Sequence, residues 1–207
     1  LLASVENPYP YDGMNSTEER VKHYGIDTKN IKFLKFPPRD EYVKYLQNAH
    51  VFVSCARSEG WNLPLIEAMA CGTPSIYSNW GGQLQFAEGK GLPVAIKGMR
   101  PANIEHKEWP GEYCEPDWDD LRIKMRNAYD YHTSIWVKSV DDSKDIHENF
   151  NWDKIAKGAS DILMRNKKPF AFVTTGNLGY MPVIEKLVQS LLEFSTEKII
   201  VYGVDCD

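Results

Sequence analysis

Residues 58–74 read Ser-Glu-Gly-Trp-Asn-Leu-Pro-Leu-Ile-Glu-Ala-Met-Ala-Cys-Gly-Thr-Pro, which predicts a loop followed by a short helix from about Leu63 to Ala70. Pro64 is favoured in a first helical turn because its missing N–H would have no partner there, and Gly72 lies where a helix ends. We therefore expect the free N–H groups of residues 61–65 to lie at the start of this helix. Free amides and the positive end of the helix dipole together bind phosphate.

The segments around this helix alternate between strand and helix patterns. Ile31–Phe36 reads as a strand, and Asp40 can cap a helix that runs to about Asn48. The continuous apolar run Val51–Cys55 is typical of a strand buried on both faces, and Ser75–Tyr77 reads as the next strand. A spacing of about twenty residues between strands indicates successive βαβ units. The predicted fold class is α/β, a Rossmann-like parallel sheet flanked by helices, in which ligands bind beyond the carboxyl ends of the strands.

Other helices are indicated by their caps. Ser16 with Glu19 three residues later forms a capping box, and Gly25 lies where that helix would stop. The stretch from Gly89 to Pro116 is rich in Gly and Pro and predicts a loop with one short strand around Val94–Ile96. Three helices should follow, one capped by Asp117, one charged and one capped by Asn151, over Trp118–Tyr131, within Ser134–Glu148 and over Trp152–Met164.

The tail of the chain starts a new pattern after Lys167-Lys168-Pro169. A strand over Phe170–Thr174, a helix from about Pro182 to Phe194 and a strand over Ile199–Tyr202 predict one βαβ unit. We predict a first domain over residues 1–166 and a second α/β segment over residues 170–207. The chain lacks an initiator Met and stops directly after an apolar run, so we expect both ends to continue in a longer protein.

Amino-acid composition and charge argue against several classes of function. The 207 residues include 24 Lys and Arg against 29 Asp and Glu, and a net charge of -5 argues against nucleic-acid binding. No apolar run approaches the roughly 18 residues of a membrane-spanning helix, and no secretory signal is recognisable, so a cytoplasmic chain is expected. The four cysteines lie far apart without His at ligand spacing, which predicts reduced thiols and no metal site.

Two carboxylates flank the predicted anion site. Glu59 lies in the loop and Glu67 about one turn into the helix, separated by seven residues. Because carboxylates repel phosphate, they need another partner. Carboxylates accept paired hydrogen bonds from vicinal hydroxyls, and a ligand with hydroxyls on both sides of a diphosphate is a nucleotide sugar.

The segment resembles the E-x7-E signature of the retaining GT-B glycosyltransferases of family 4, including the longer string E-G-(aromatic)-x-L-P...E-A-M-A-x-G-x-P. The resemblance covers roughly residues 1–165. It implies a nucleotide-diphosphate sugar as donor, with no cofactor or metal required. It also implies that Glu59 contacts the donor sugar near the reacting carbon and that Glu67 binds the ribose hydroxyls. The amides that hold the diphosphate would be those of Gly60, Trp61, Asn62 and Leu63.

Further landmarks agree with the resemblance, and others depart from it. Ser78–Gln83 matches the donor-side glycine loop, which implies ligand contacts for Gly81 and Gly82, and Gly111–Asp117 is a weaker landmark. Asn62 stands where Gly is commonest. The strand and helix that usually bring an Arg and a Lys to the diphosphate are missing, as is the acceptor-binding domain, so we expect weak donor binding and little transfer. The acceptor, whether glycan, lipid or protein, is not identified.

Residues 170–207 resemble the start of a GT-A nucleotide-diphospho-sugar transferase. The alternative is that this tail resupplies the strand and helix missing before Leu1.

Several alternatives remain open at this point. Gly81-Gly82 can be a simple turn, and Trp61 can be a platform for the ligand or pack against its own loop. Arg57 can replace the absent phosphate cation or be solvated. The functional alternatives are a nucleotide-sugar epimerase and a non-catalytic nucleotide-sugar-binding module. A dinucleotide dehydrogenase fits less well because no G-x-G-x-x-G follows any strand.

Overall fold

The computed structural model describes residues 2–5, 14–35, 37–101, 111–165, 172–176, 189 and 199–203. The chain divides into two compact units, Leu1–Asn151 and Trp152–Asp207. The helices are α1 Thr17–His23, α2 Arg39–Asn48, α3 Leu63–Ala70, α4 Leu84–Ala87, α5 Trp118–Asp130, α6 His132–Asn149 and α7 Trp152–Arg165. The strands are β1 Leu2–Val5, β2 Ile31–Leu34, β3 Phe52–Ser54, β4 Ser75–Ser78, β5 Leu92–Val94, β6 Ile96–Pro101, β7 Glu112–Pro116, β8 Phe172–Gly176 and β9 Ile199–Gly203.

The first unit contains parallel sheets, as predicted. Strands β1 and β2 pair in parallel, and β3, β4 and β5 form a parallel three-stranded sheet with β4 in the middle. Successive strands are joined by helices, which is the βαβ connection that parallel pairing requires. The α/β class with a parallel sheet flanked by helices is therefore confirmed.

Both faces of the three-stranded sheet are covered by helices. Tyr77 of β4 lies in a cluster with residues of α3, α4 and α6, namely Leu65, Met69, Phe86, Ala87 and Ile146. Ile76, the adjacent residue of β4, points to the opposite face and packs with Val94 and Ala128 of α5. This alternation follows from the two-residue period of a strand. The packing of Leu65 and Met69 on Tyr77 holds α3 against the sheet. The first residue of α3 lies just past the carboxyl end of β3.

Strand β4 is buried along its whole length and β3 is not, so the prediction that Val51–Cys55 is buried on both faces was wrong. All of Ser75–Ser78 is buried, whereas Val53 is 40% exposed. Strand β4 has a neighbour on each side and helices on both faces. Strand β3 has one partner in its sheet, and its apolar residues contact the two clusters only in part.

The described residues of the stretch from Gly89 to Pro116, 89–101 and 111–116, contain three strands where one was predicted. Strands β6 and β7 form an antiparallel ribbon with a register shift between Ile96 and Gly98. The Gly and Pro residues of this stretch suggested a loop, but Pro101 and Pro116 close their strands, where a missing N–H is tolerated.

Of the predicted helix caps, Ser16 and Asp117 agree with the structure and Asp40 does not. Ser16 Oγ accepts from Glu19 N at 3.1 Å, and Asp117 accepts from the amides of α5. Asp40 is not the cap of α2, because Pro38 occupies the cap position and the helix begins at Arg39. Asp40 instead lies in the first turn, where its charge complements the helix dipole.

In the second unit, α7 is followed by β8 and β9, which pair in parallel from Phe172 and Ile199. Within the described residues, the predicted strands Phe170–Thr174 and Ile199–Tyr202 are thus present as Phe172–Gly176 and Ile199–Gly203. The predicted helix over Pro182–Phe194 falls, apart from residue 189, outside the described residues. The domain to which this tail belongs stays a prediction. Within the described parts of the chain, no helix combines the length and apolar character needed to cross a membrane.

Candidate functional site

The loop between β3 and α3 ends in a residue with left-handed backbone geometry. Asn62 has φ 63° and ψ 64° and caps α3, with its Oδ1 accepting from Leu65 N at 3.3 Å. Residues other than Gly rarely adopt positive φ, and Asn does so more readily than most. This geometry explains why Gly suits this position, and Asn adds a capping side chain that Gly lacks.

A buried amide network joins the loop after β3 to the loop after β4. Asn62, only 3% exposed, donates through Nδ2 to Ser54 Oγ at 2.9 Å and to Gln83 Oε1 at 2.6 Å. The Nε2 of Gln83 donates in turn to the carbonyl of Ser78. Among the described residues every buried side-chain nitrogen or oxygen has a hydrogen-bond partner. The network therefore fixes both loops at the carboxyl end of the sheet.

The glycine loop after β4 packs backbone to backbone on the loop that carries Glu59. A Cβ placed on Gly82 would lie 1.8 Å from the carbonyl oxygen of Gly60. Gly81 has φ 89°, and a Cβ there would lie 3.3 Å from the carbonyl oxygen of Glu59. Both glycines are therefore required by this close contact, whatever ligand contacts they also make.

Unpartnered amides collect at the start of α3. Among the residues that the structure describes, no group accepts a hydrogen bond from the amides of residues 60–63. The prediction of residues 61–65 needs correction at its end, because Pro64 has no N–H and Leu65 N donates to Asn62 O at 3.0 Å. The amides of residues 60–63 and the α3 dipole thus form a candidate anion site at the carboxyl end of a parallel sheet.

The two predicted carboxylates differ in their surroundings. Glu59 is exposed in the loop, and Glu67 lies one turn into α3 with its side chain 28% exposed. Arg39 of α2 approaches Glu67, with Nη1 at 2.7 Å from Oε1. Burial, followed by the charge of Glu67 and a hydrogen bond to it, raises the pKa of Tyr42 to about 12. Tyr42 therefore stays protonated as a donor near neutral pH.

Trp61 packs into the core. Its ring centroid lies 5.3 Å from that of Phe86 and 6.0 Å from that of Phe150. This agrees with the packing alternative, although a contact between Trp61 and a ligand stays a prediction. Leu63, the first residue of α3, is exposed at the rim of the anion site.

Arg57 is half-exposed, with its side chain 52% exposed, and it pairs with Glu115. Its Nε and Nη2 each lie 3.2 Å from an oxygen of Glu115, and Trp118 Nε1 donates to the same carboxylate at 2.8 Å. Arg100 also contacts Glu115, at 3.3 Å. The carbonyl of Arg57 accepts from Cys114 N at 2.9 Å. Strand β7 thus braces the loop that leads to Glu59.

Cys55 and Cys71 are partly buried and Cys114 is buried. Burial raises the pKa of Cys55 to about 11 and also raises that of Cys71. Within the described ranges no cluster of His, Cys, Asp or Glu side chains is arranged to hold a metal ion.

The sequence did not indicate that Arg39, Tyr42 and Glu115 belong to the candidate site or support it. Arg39 hydrogen-bonds to Glu67, which lies 28 positions further along the chain, and Arg57 hydrogen-bonds to Glu115, which lies 58 positions further along. No local pattern indicates such pairs.

Comparisons with known proteins show which proteins this chain is similar to. Residues 13–92 match the family model described as glycosyl transferases group 1. An uncharacterized glycosyltransferase from Methanocaldococcus jannaschii is 27% identical over 145 residues, which are 70% of this chain and 33% of that protein. A D-inositol 3-phosphate glycosyltransferase from Thermobifida fusca is 36% identical over 110 residues, 50% of this chain and 24% of that protein. The chain thus spans a third or less of the length of these relatives.

The fold has a counterpart among solved structures. Sucrose-phosphate synthase from Thermosynechococcus elongatus superposes with a TM-score of 0.57 at 23% identity, covering 79% of this chain and 37% of that chain. The described α/β fold is therefore that of a GT-B neighbour. Residues 13–92, which include the candidate anion site and both carboxylates, are similar to the glycosyl transferases group 1 family.

Proposed function

We propose that this chain is the donor-binding part of a retaining glycosyltransferase of the family 4 type, which transfers the sugar of a nucleotide-diphosphate sugar to an acceptor. The observation that carries the proposal is the set of unpartnered amides of residues 60–63 between Glu59 and Glu67. These residues lie inside the segment that matches the glycosyl transferases group 1 model. The acceptor is left open, because the named acceptor of the relatives belongs to proteins of which this chain spans a minor part.

The amides of residues 60–63 would hold the diphosphate. When the bond between the anomeric carbon and the diphosphate oxygen breaks, its electron pair leaves with the nucleoside diphosphate. The N–H groups and the dipole of α3 stabilise that growing negative charge without the need for a divalent metal. Glu59 faces the sugar, where positive charge grows at the anomeric carbon.

Glu67 would accept hydrogen bonds from the ribose hydroxyls. It lies one turn further into α3 than the anion site, so it is offset from the diphosphate along the helix. The two carboxylates then bind the two ends of one ligand, with the diphosphate between them.

Isothermal titration of the chain with UDP, GDP and ADP tests the proposal. We expect at least one diphosphate to bind. Glu67→Ala should weaken binding by about 1–3 kcal/mol, the cost of lost charge-assisted hydrogen bonds. Glu59→Gln should leave the affinity for the diphosphate nearly unchanged, because its partner is the sugar. Glu148→Ala, an exposed carboxylate on α6, is the matched control for the loss of one negative charge.

Two results would contradict the assignment. Binding of no diphosphate, or equal affinities for Glu67→Ala and Glu148→Ala, would reject the nucleotide site. If Glu59→Gln lowers the affinity for the diphosphate as much as Glu67→Ala does, the sugar role of Glu59 is rejected. In transfer assays of the complete enzyme, Glu59→Gln should lower turnover by about 10²-fold or more, the usual effect of removing a group that acts on developing charge.

A further inference from the structure

The first turn of α2 brings two side chains to the carboxylate of Glu67. Arg39 Nη1 lies 2.7 Å from Glu67 Oε1, and the guanidinium carbon of Arg39 lies 5.6 Å from the centroid of the Tyr42 ring. After the larger effect of burial, the same carboxylate raises the pKa of the Tyr42 hydroxyl through its charge and a hydrogen bond. Arg39, Tyr42 and Glu67, here named the Glu67 cluster, therefore link α2 to α3.

The Glu67 cluster is poorly explained by a role in stability alone. The side chain of Arg39 is 64% exposed and that of Glu67 is 28% exposed. Ion pairs of this exposure contribute little to folding, because water screens them and two long side chains must be ordered. Removal of the Arg39 guanidinium should therefore leave the folded state nearly as stable as before.

The Glu67 cluster instead counteracts two effects of a carboxylate next to an anion site, which are charge repulsion and free rotation of the carboxylate. The charge of Glu67 repels a diphosphate bound at residues 60–63, and the guanidinium of Arg39 offsets that charge. The carboxylate must also keep one orientation to receive a pair of hydroxyls, and two donors restrict its rotation before the ligand arrives. A carboxylate has about four acceptor sites, so Glu67 retains acceptor capacity for a ligand after both donors are bound.

We propose that Arg39 and Tyr42 are positioning residues that hold the Glu67 carboxylate towards the ribose hydroxyls and offset its charge beside the diphosphate. This inference rests on the proposed function. It assigns to Arg39 and Tyr42 the discrimination between ribose and 2′-deoxyribose, since that discrimination depends on a correctly oriented Glu67.

The experiment is isothermal titration of the diphosphate that the wild-type chain binds, and of its 2′-deoxy analogue. The wild-type chain should prefer the ribose form by about tenfold, the effect of one hydrogen bond to a charged acceptor. Arg39→Met and Tyr42→Phe should each reduce this ratio to about threefold or less, and Glu67→Gln should bring it close to one. Lys44→Met removes one positive charge from an exposed position of the same helix and should keep the wild-type ratio.

Two further variants separate positioning from direct contact with the ligand. Arg39→Lys keeps the charge without the planar fork, so it should recover affinity for the diphosphate more than it recovers the ribose preference. In a Glu67→Gln background, Arg39→Met should cause no further loss of affinity for the diphosphate, because Arg39 acts through the charge and orientation of Glu67.

The outcomes are distinguishable. If the wild-type chain binds a diphosphate but Arg39→Met and Tyr42→Phe keep its ribose preference, the positioning role is wrong and the proposed function stands. If Arg39→Met has its full effect in the Glu67→Gln background, Arg39 contacts the ligand directly and the positioning role is again wrong. If the wild-type chain binds no diphosphate, the proposed function fails, and this inference fails with it.

Discussion

Asn62 offers a stability experiment that isolates the backbone geometry of the candidate site. Its side chain caps α3 and satisfies Gln83 inside the protein, while its backbone has φ 63°. Replacement by Ala removes both side-chain roles and leaves an unfavourable backbone conformation. Replacement by Gly removes the same side-chain roles, but Gly adopts positive φ without steric cost.

The expected losses follow from these contacts. In both variants the buried Oε1 of Gln83 loses its donor, at a cost of about 1–3 kcal/mol. The lost cap costs about 1 kcal/mol with Ala and a few tenths with Gly. The left-handed conformation costs Ala about 1–2 kcal/mol more. Asn62→Ala should therefore be about 2 kcal/mol less stable than Asn62→Gly, and both should be less stable than the wild-type chain.

Urea denaturation followed by far-ultraviolet circular dichroism measures the two free energies of unfolding. Asn48, the last residue of α2, is the matched control. At a helical position the order reverses, and Asn48→Ala should be more stable than Asn48→Gly by up to about 1 kcal/mol. If Asn62→Ala equals or exceeds Asn62→Gly in stability, the argument from backbone geometry is refuted.

Three other expectations concern the loops and their supports. Gly82→Ala should lower the free energy of unfolding by more than about 2 kcal/mol, because its Cβ would meet the Gly60 carbonyl. A Cβ on Gly98 has no neighbour within contact distance, so Gly98→Ala should change the free energy of unfolding by no more than about 1 kcal/mol. Equal effects of the two substitutions would contradict the close contact. Hydrogen bonds from Arg57 and then Trp118 hold the pKa of Glu115 below its usual range, so its stabilisation should be present above about pH 5 and lost as the pH falls through the lowered pKa. The urea midpoint should therefore fall more steeply below pH 5 in the wild-type chain than in Glu115→Gln, and parallel profiles would reject the ion pair. Burial raises the pKa of Cys55 to about 11, so iodoacetamide at about pH 8 should label Cys55 much more slowly in the folded than in the urea-unfolded chain, as peptide mass mapping can show. Equal labelling rates would contradict its burial.

Features encoded within a few residues of each other were predictable from the sequence. The caps Ser16 and Asp117 and the pair Pro64 and Gly72 marked helix ends, because caps and turn residues act on their own turn. The alternation of strands and helices then indicated the parallel sheet. The predicted set of free amides needed correction at Pro64, which has no N–H, and at Leu65, whose N–H donates to the cap residue Asn62.

Features that depend on contacts distant in the chain were not predictable. The apolar run of β3 looked fully buried, but its burial depends on how many strands and helices surround it, and that is a property of the sheet. The partners of Arg57 and Glu67 lie 58 and 28 positions away, so no window of sequence contains both members of either pair. The ribbon of β6 and β7 was missed because its glycines and prolines also suit a loop.

Nuclear magnetic resonance titration of the isotope-labelled chain with a nucleoside diphosphate is the most direct test of the central claim, that the diphosphate binds at the start of α3. The unpartnered amides there should change most, because they would donate to the phosphate oxygens. We expect the largest chemical-shift changes at the amides of Gly60, Trp61, Asn62 and Leu63, with saturation at the affinity measured by calorimetry. Saturable changes concentrated elsewhere in the chain, with these amides unmoved, would contradict the account.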